Sequence, residues 1–194
     1  MAWLDKLFGG SSNAYVDAGI RLTRELVVSL GLGDWKDLLP EYTTEEMEAM
    51  DRELTNFQRM ADGTAAEEEG PGTQMFFHPE AAPEIRRMLM GQALENLAAR
   101  DWRFLGEDRI PDNWRQCVST YLKAWVSSLS AAVLLEVGDL LSRVGRKQEA
   151  RKAFEVVLLY PRYIENRDRG SKQSIDNAHY FADRARERLQ RLGA

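Results

Sequence analysis

Cysteine and histidine are almost missing from this chain. Among its 194 residues stand one cysteine, Cys117, and two histidines, His78 and His179. A single cysteine makes an internal disulfide impossible and fits a reducing compartment. A zinc site asks for four ligands, or three and a water. The two histidines lie far apart in sequence with no Cys/His partners at ligand spacing, so neither a metal nor any other cofactor is expected. His78-Pro79-Glu80 reads instead as a loop entering a helix. Long apolar runs are missing too: the longest uncharged stretch, Ala124 to Leu135, falls far short of the roughly 20 residues that cross a bilayer. Met1–Gly10 lacks the apolar core and cleavage site of a secretory signal. The expectation is a soluble, cytoplasmic protein with no transmembrane segment. No Gly-rich phosphate loop, nucleophile elbow or His-Glu zinc motif occurs. Cys117 falls on an apolar helix face beside Trp114 and Tyr121, whereas a catalytic thiolate needs a base and partial exposure. No residue argues for catalysis, and a non-enzyme is expected.

What is present is an ordinary core-forming composition, 44% hydrophobic and 29% charged, with a net charge of −5. The charge is unevenly spread: residues 1–100 carry 18 acids and 9 bases, whereas residues 101–194 carry 13 acids and 17 bases. This asymmetry can bind the two halves of one chain together, orient a homo-oligomer, or present a basic end to an acidic partner. Intramolecular complementarity takes about half the weight among these readings.

Along the chain, helical period dominates and no strand-like alternation is long enough to count, so the fold class is all-α. Met1–Phe8 is a short amphipathic segment with Trp3, Leu4, Leu7 and Phe8 on one side, followed by a Gly-Gly-Ser-Ser-Asn break. A helix over Ala14 to Leu30 carries Val16, Ile20, Leu26, Val27 and Leu30, and Gly31-Leu32-Gly33 ends it. Asp34 caps a short helix closed by Pro40. Thr43 or Thr44 starts another, which runs to about Met60, with Glu45, Glu46 and Glu48 on a solvated face. The segment 62–78, with Glu67-Glu68-Glu69 and Gly70-Pro71-Gly72, has nothing to bury and reads as an acidic linker. It separates an N-terminal helical segment, 1–61, from a domain over 79–194.

After Pro83 a helix with Ile85, Met88, Leu89, Ala93 and Leu97 extends to about Arg100. A loop through Gly106 and Pro111 leads to Asp112, the expected N-cap of the strongest periodic segment in the sequence. There Trp114, Cys117, Val118, Tyr121, Leu122, Trp125, Val126 and Leu129 recur at three- and four-residue steps. The phase continues through Val133, Val137, Leu140, Leu141 and Val144. This leaves two readings, one long helix over 112–144 or two broken near Ser127–Ser130. A helix over Arg146–Tyr160, a polar connection over Arg162–Ser171 and a last helix over Ser174–Leu192 complete the chain. Ile175, Ala178, Ala182, Ala185 and Leu189 form the buried side of the last helix.

Residues 131–164 have a further pattern. Leu134, Val137, Gly138 and Leu141 form one stripe, Gly145 a short turn, and Ala150, Phe154 and Val157 a second stripe, with Pro161 closing the unit. Small residues at 138 and 150 let two backbones approach closely while Phe154 and Leu141 fill the space beside them. This spacing resembles the tetratricopeptide repeat, a helix–turn–helix unit of about 34 residues. The resemblance covers about one repeat plus a capping helix over 174–192. Val157 stands where the family usually has a smaller residue, and Pro161 comes one position early. The resemblance implies antiparallel helical hairpins in a right-handed α-solenoid or helical bundle. It also implies a non-catalytic adaptor that binds a protein or peptide in a groove.

The family's peptide-contacting positions fall on Ala132, Leu135, Asp139, Ser142 and Arg143, and Leu135, Asp139, Ser142 and Arg143 are the partner-binding candidates. The Lys and Asn pattern that clamps a C-terminal carboxylate is not present. Trp102, Trp114 and Trp125 are anchors if exposed and core if buried. Two alternatives stand beside the adaptor. One is nucleic-acid binding through residues 143–191, with 13 bases against 7 acids. The interspersed acids and the shortage of interleaved aromatics count against it. The other is weak membrane association through Trp3, Leu4, Leu7 and Phe8. An enzyme of unfamiliar type would have to gather His179, Tyr180 and Asp183 around a deep pocket.

Overall fold

The apolar period that follows the Gly-Ser break becomes helix α1, Ala14–Leu30, in a computed structural model of the chain. The structure describes residues 13–34, 82–100, 109–168 and 171–193, together with positions 44, 48, 49, 52 and 102. Among these, seven helices carry the fold and no strand occurs. The expected segments at Met1–Phe8, Asp34–Pro40 and 62–78 lie outside the described residues. So does most of the helix expected to run to Met60, of which Thr44, Glu48, Ala49 and Arg52 are helical. The chain divides into two compact units, of which the first is discontinuous in sequence. One holds the described residues of 1–31 and 134–194, the other those of 32–133.

In the second unit, α2 (Ala82–Arg100) packs on α3 (Trp114–Ser128). The buried stripe of α2 is Leu89, Met90, Ala93, Leu94, Ala98 and Ala99. This corrects the expected face, because Met88 points to solvent and Leu97 is half-buried while Leu94 and Ala98 face inward. The N-cap position of α3 is Asn113, not Asp112, and its side chain makes no capping bond. Trp102 and Tyr121 meet edge to face, and the Trp102 Nε1–H donates to the Tyr121 hydroxyl at 2.9 Å. Trp102 and Trp125 are therefore core residues. Trp114 is half-buried beneath the Arg115 guanidinium, 4.7 Å from its ring centre.

The ambiguity over 112–144 resolves into two helices. Leu129 takes a left-handed conformation (φ 53°, ψ 26°) and its N–H closes on the Trp125 carbonyl at 2.7 Å. The serines prepare the break: Ser127 and Ser128 donate their hydroxyls to the Lys123 and Ala124 carbonyls, and the Ser128 hydroxyl also accepts from the Ser130 N–H. Such side-chain bonds offer the backbone an alternative to helical pairing.

Helix α4, Ala131–Arg143, follows and ends in a turn where Gly145 has φ +78°. The Arg146 N–H reaches the Leu141 carbonyl and the Gly145 N–H the Ser142 carbonyl. This is the double bond of a Schellman stop, which favours glycine at its left-handed position. The chain doubles back as α5, Lys147–Val157, bringing Phe154 against Gly138.

Here two expectations are corrected. Helix α5 ends at Val157 instead of Tyr160, and residues 160–168 form a helix, α6 (Tyr160–Asp168), instead of a polar connection. Pro161 sits in the first turn of α6, where its missing N–H costs nothing, and Tyr163 and Ile164 are buried. Helix α7, Lys172–Gly193, buries the expected alanines 178, 182 and 185. It packs on α5 and α6, which also receive α1. The α1 face that does this contains Tyr15, Leu22, Leu26 and Val27. The Thr23 hydroxyl on that buried face is satisfied by the Gly19 carbonyl at 2.9 Å.

Candidate functional site

Helix α4 is apolar on most of its circumference: Ala131, Val133, Leu134, Leu135, Val137, Leu140 and Leu141 are all buried. Of the partner-binding candidates, Leu135 is therefore core, with 7% of its surface exposed. Ala132, Asp139, Ser142 and Arg143 are half-buried. Glu136, Asp139 and Arg143 recur at steps of three and four, so a narrow polar stripe runs along α4 beyond Ala132.

Asp139 is already engaged. Arg188, on α7, approaches its carboxylate in a forked geometry, with Nε at 2.7 and 2.9 Å from the two oxygens and Nη2 at 2.7 Å from one of them. Both side chains are largely screened from solvent, 21% exposed for Arg188 and 29% for Asp139. Such two-point charge-assisted pairs are among the stronger polar contacts in proteins. The Asp139 hydrogen bonds hold the Arg188 guanidinium above its ordinary pKa against the opposing effect of burial, and the Glu136 charge adds to this.

A concavity lies between α1 and α5 within the same unit. It is an open cleft of about 200 Å³ lined by the apolar Ala18, Leu22, Val156 and Leu159 and by the charged Arg21, Glu25, Lys152 and Glu155. Lys152 and Glu25 bridge it at 2.6 Å. At the far end of α1, Arg146 points at the Ser29 carbonyl, 3.5 Å away, and pairs with Glu149 through its Nε at 2.9 Å. That bond to Arg146 lowers the Glu149 pKa below the ordinary glutamate value. Sequence periodicity did not reveal this cleft, because it arises from two helices more than a hundred residues apart.

The same holds for an aromatic cluster of Tyr15, Tyr160, Tyr163 and Phe181. Tyr15 stands 5.0 and 5.2 Å from the Tyr160 and Tyr163 rings, and Tyr160 stands 6.3 Å from Phe181. Aromatics at 15, 160, 163 and 181 were the only available signal.

Five bases of the basic C-terminal region are paired with acids, three of them with acids of that region itself. Arg146 pairs with Glu149, Lys152 with Glu25, Arg184 with Glu187, Arg186 with Asp183 and Arg188 with Asp139. His179 faces Glu165 at 3.6 Å on an exposed surface, and Asp183 is drawn to Arg186. Cys117 is buried, its Sγ 3.8 Å from Asn113 Oδ1. No group of three metal-ligating side chains converges among the described residues, and no helix among them is long and apolar enough to cross a membrane. No family model matches this chain, and neither does any curated protein or solved structure.

Proposed function

We propose that this chain is a non-catalytic adaptor that engages a protein or peptide partner through the polar stripe of α4 and the turn after it. The reading is carried by one observation: a β-carbon placed on Gly138 would lie 2.3 Å from the Phe154 ring. This close approach of α5 to α4 supports the tetratricopeptide-like reading of residues 131–164. The tight hairpin also supports the groove assignments, with Asp139, Ser142 and Arg143 half-buried along α4 and Leu135 holding the helix in place from beneath.

The experiment is affinity purification of the tagged full-length protein from its native cells at low and high salt, beside a Ser142→Trp, Arg143→Glu variant of unchanged circular dichroism. The expected result is a specific protein that survives high salt and is lost from the variant. Recovery of nucleic acid alone, lost at high salt, would overturn the adaptor reading in favour of counterion-driven binding. A partner retained equally by the variant would remove the stripe from the binding surface.

A further inference from the structure

We propose that two copies of this chain associate across the cleft between α1 and α5, related by a two-fold axis that runs along the cleft. The ground is the order of charges on its two walls. The Glu25–Lys152 bridge and the Arg146–Ser29 contact show that α1 and α5 run antiparallel, because four residues forward on α1 correspond to six backward on α5. One turn back from Glu25 stands Arg21, and one turn on from Lys152 stands Glu155, so these two share the next level of the cleft. An acid on α1 faces a base on α5 at the first level, and the order is reversed at the second. Within one copy only the first level is bridged: among the described residues, Arg21 and Glu155 make no ion pair.

A two-fold axis along the cleft lays α1 of one copy over α5 of the other and keeps the levels in step. Self-complementarity of this kind is what a two-fold interface requires. Arg21 then meets Glu155 of the second copy, and Glu25 meets its Lys152, each twice by symmetry. The same axis sets Leu159, 36% exposed, on the second copy's Ala18. An axis across the helices would set Leu159 against Glu149 instead, which is already bound to Arg146. Helix α5 has 11 residues, about 16 Å of contact along the cleft, so the interface is small and the dimer weak and reversible. None of these contacts lies on α4, and the inference stands apart from the adaptor reading.

The test is the mass of the full-length protein by sedimentation equilibrium, from about 5 to about 200 µM at low salt, where surface charges are least screened. The average mass is expected to rise with concentration from 22.2 kDa toward twice that value. Arg21→Glu alone and Glu155→Arg alone each set like charges against one another and are expected to weaken association at least tenfold. Both positions are exposed, so helicity by circular dichroism should stay unchanged. A mixture of the two reversed proteins is expected to regain association to within about threefold of wild type, because every contact between unlike copies then joins opposite charges. An effect within one chain cannot give that result. Leu159→Lys, which puts a charge into the apolar contact, is also expected to weaken association at least tenfold, and it replaces either reversal that impairs folding.

A mass of one chain at every concentration would overturn the proposal. So would association that neither reversal weakens, or a mixture of the reversed proteins that stays monomeric.

Discussion

Gly138 and Phe154 occupy space that admits no added atom. A methyl group at position 138 would lie 2.3 to 2.8 Å from three ring carbons, well inside van der Waals contact. Alanine gains up to about 1 kcal/mol of helix propensity over glycine, and overpacking a closed core costs about 1–3 kcal/mol. The second effect dominates because the obstacle is a fully packed ring. Gly138→Ala is expected to lower stability by about 1–2 kcal/mol in denaturant titration, and Phe154→Leu in the same chain to relieve most of that increment. A simple sum of the two single losses would show that the ring is not the obstacle.

At Glu149 the sign of a pH effect follows from its pKa. The Arg146 bond lowers the folded value beneath the ordinary 4.5. A depressed carboxylate contributes stability that is present above the unfolded value and lost as pH falls through the folded one. Wild type is therefore expected to exceed Glu149→Gln in denaturant midpoint at pH 7, with the gap closing as pH is lowered from about 5 to below the folded value. A gap that persists at pH 2 would assign the effect to packing.

Leu129 sets the character of its element, since it ends α3 in a conformation that costs a non-glycine residue roughly 1–2 kcal/mol while its side chain is buried. Full burial of a leucine contributes about 1.5–3 kcal/mol, which offsets the strain. Both Leu129→Gly and Leu129→Ala should destabilise, and alanine should be the worse of the two because it loses the burial and keeps the strain. Thermal or chemical unfolding that ranks glycine below alanine would contradict this.

The helices legible in sequence were those with a strong single period: α1 and the inward alanines of α7 follow directly from it. The α3–α4 break was legible only as one of two readings, because Ser127–Ser130 interrupts neither the apolar phase nor the helix propensity strongly, and the deciding torsion belongs to a leucine. Helix α6 was missed because Pro161 reads as a terminator when it stands in a first turn, and because its buried side chains are few among polar neighbours. In the candidate site, Asp139, Ser142 and Arg143 lie half-buried on α4. The burial of Leu135 was not legible, because tertiary cover cannot be read from a hairpin pattern alone, and the Arg188 partner of Asp139 lies on a separate helix.

On the scale of the whole chain, the first unit joins α1 to helices that begin at Lys147. Residues 131–194 alone lack the surface that covers α5 and α6, so this fragment is expected to be largely unfolded by circular dichroism. A peptide of residues 13–31 added in trans should restore helicity with saturable dependence on its concentration. A fragment that is fully helical and melts cooperatively by itself would show that α1 is dispensable.

The separation also has a consequence during synthesis. Helix α1 leaves the ribosome more than 100 residues before the helices that bury Tyr15, Leu22, Leu26 and Val27. At bacterial-like elongation of about 5–20 residues per second, that is on the order of ten seconds with an apolar face uncovered. The nascent chain is therefore a natural client for a ribosome-associated chaperone over this interval, and slowing translation between codons 32 and 146 should reduce the yield of native protein more than slowing it after codon 170.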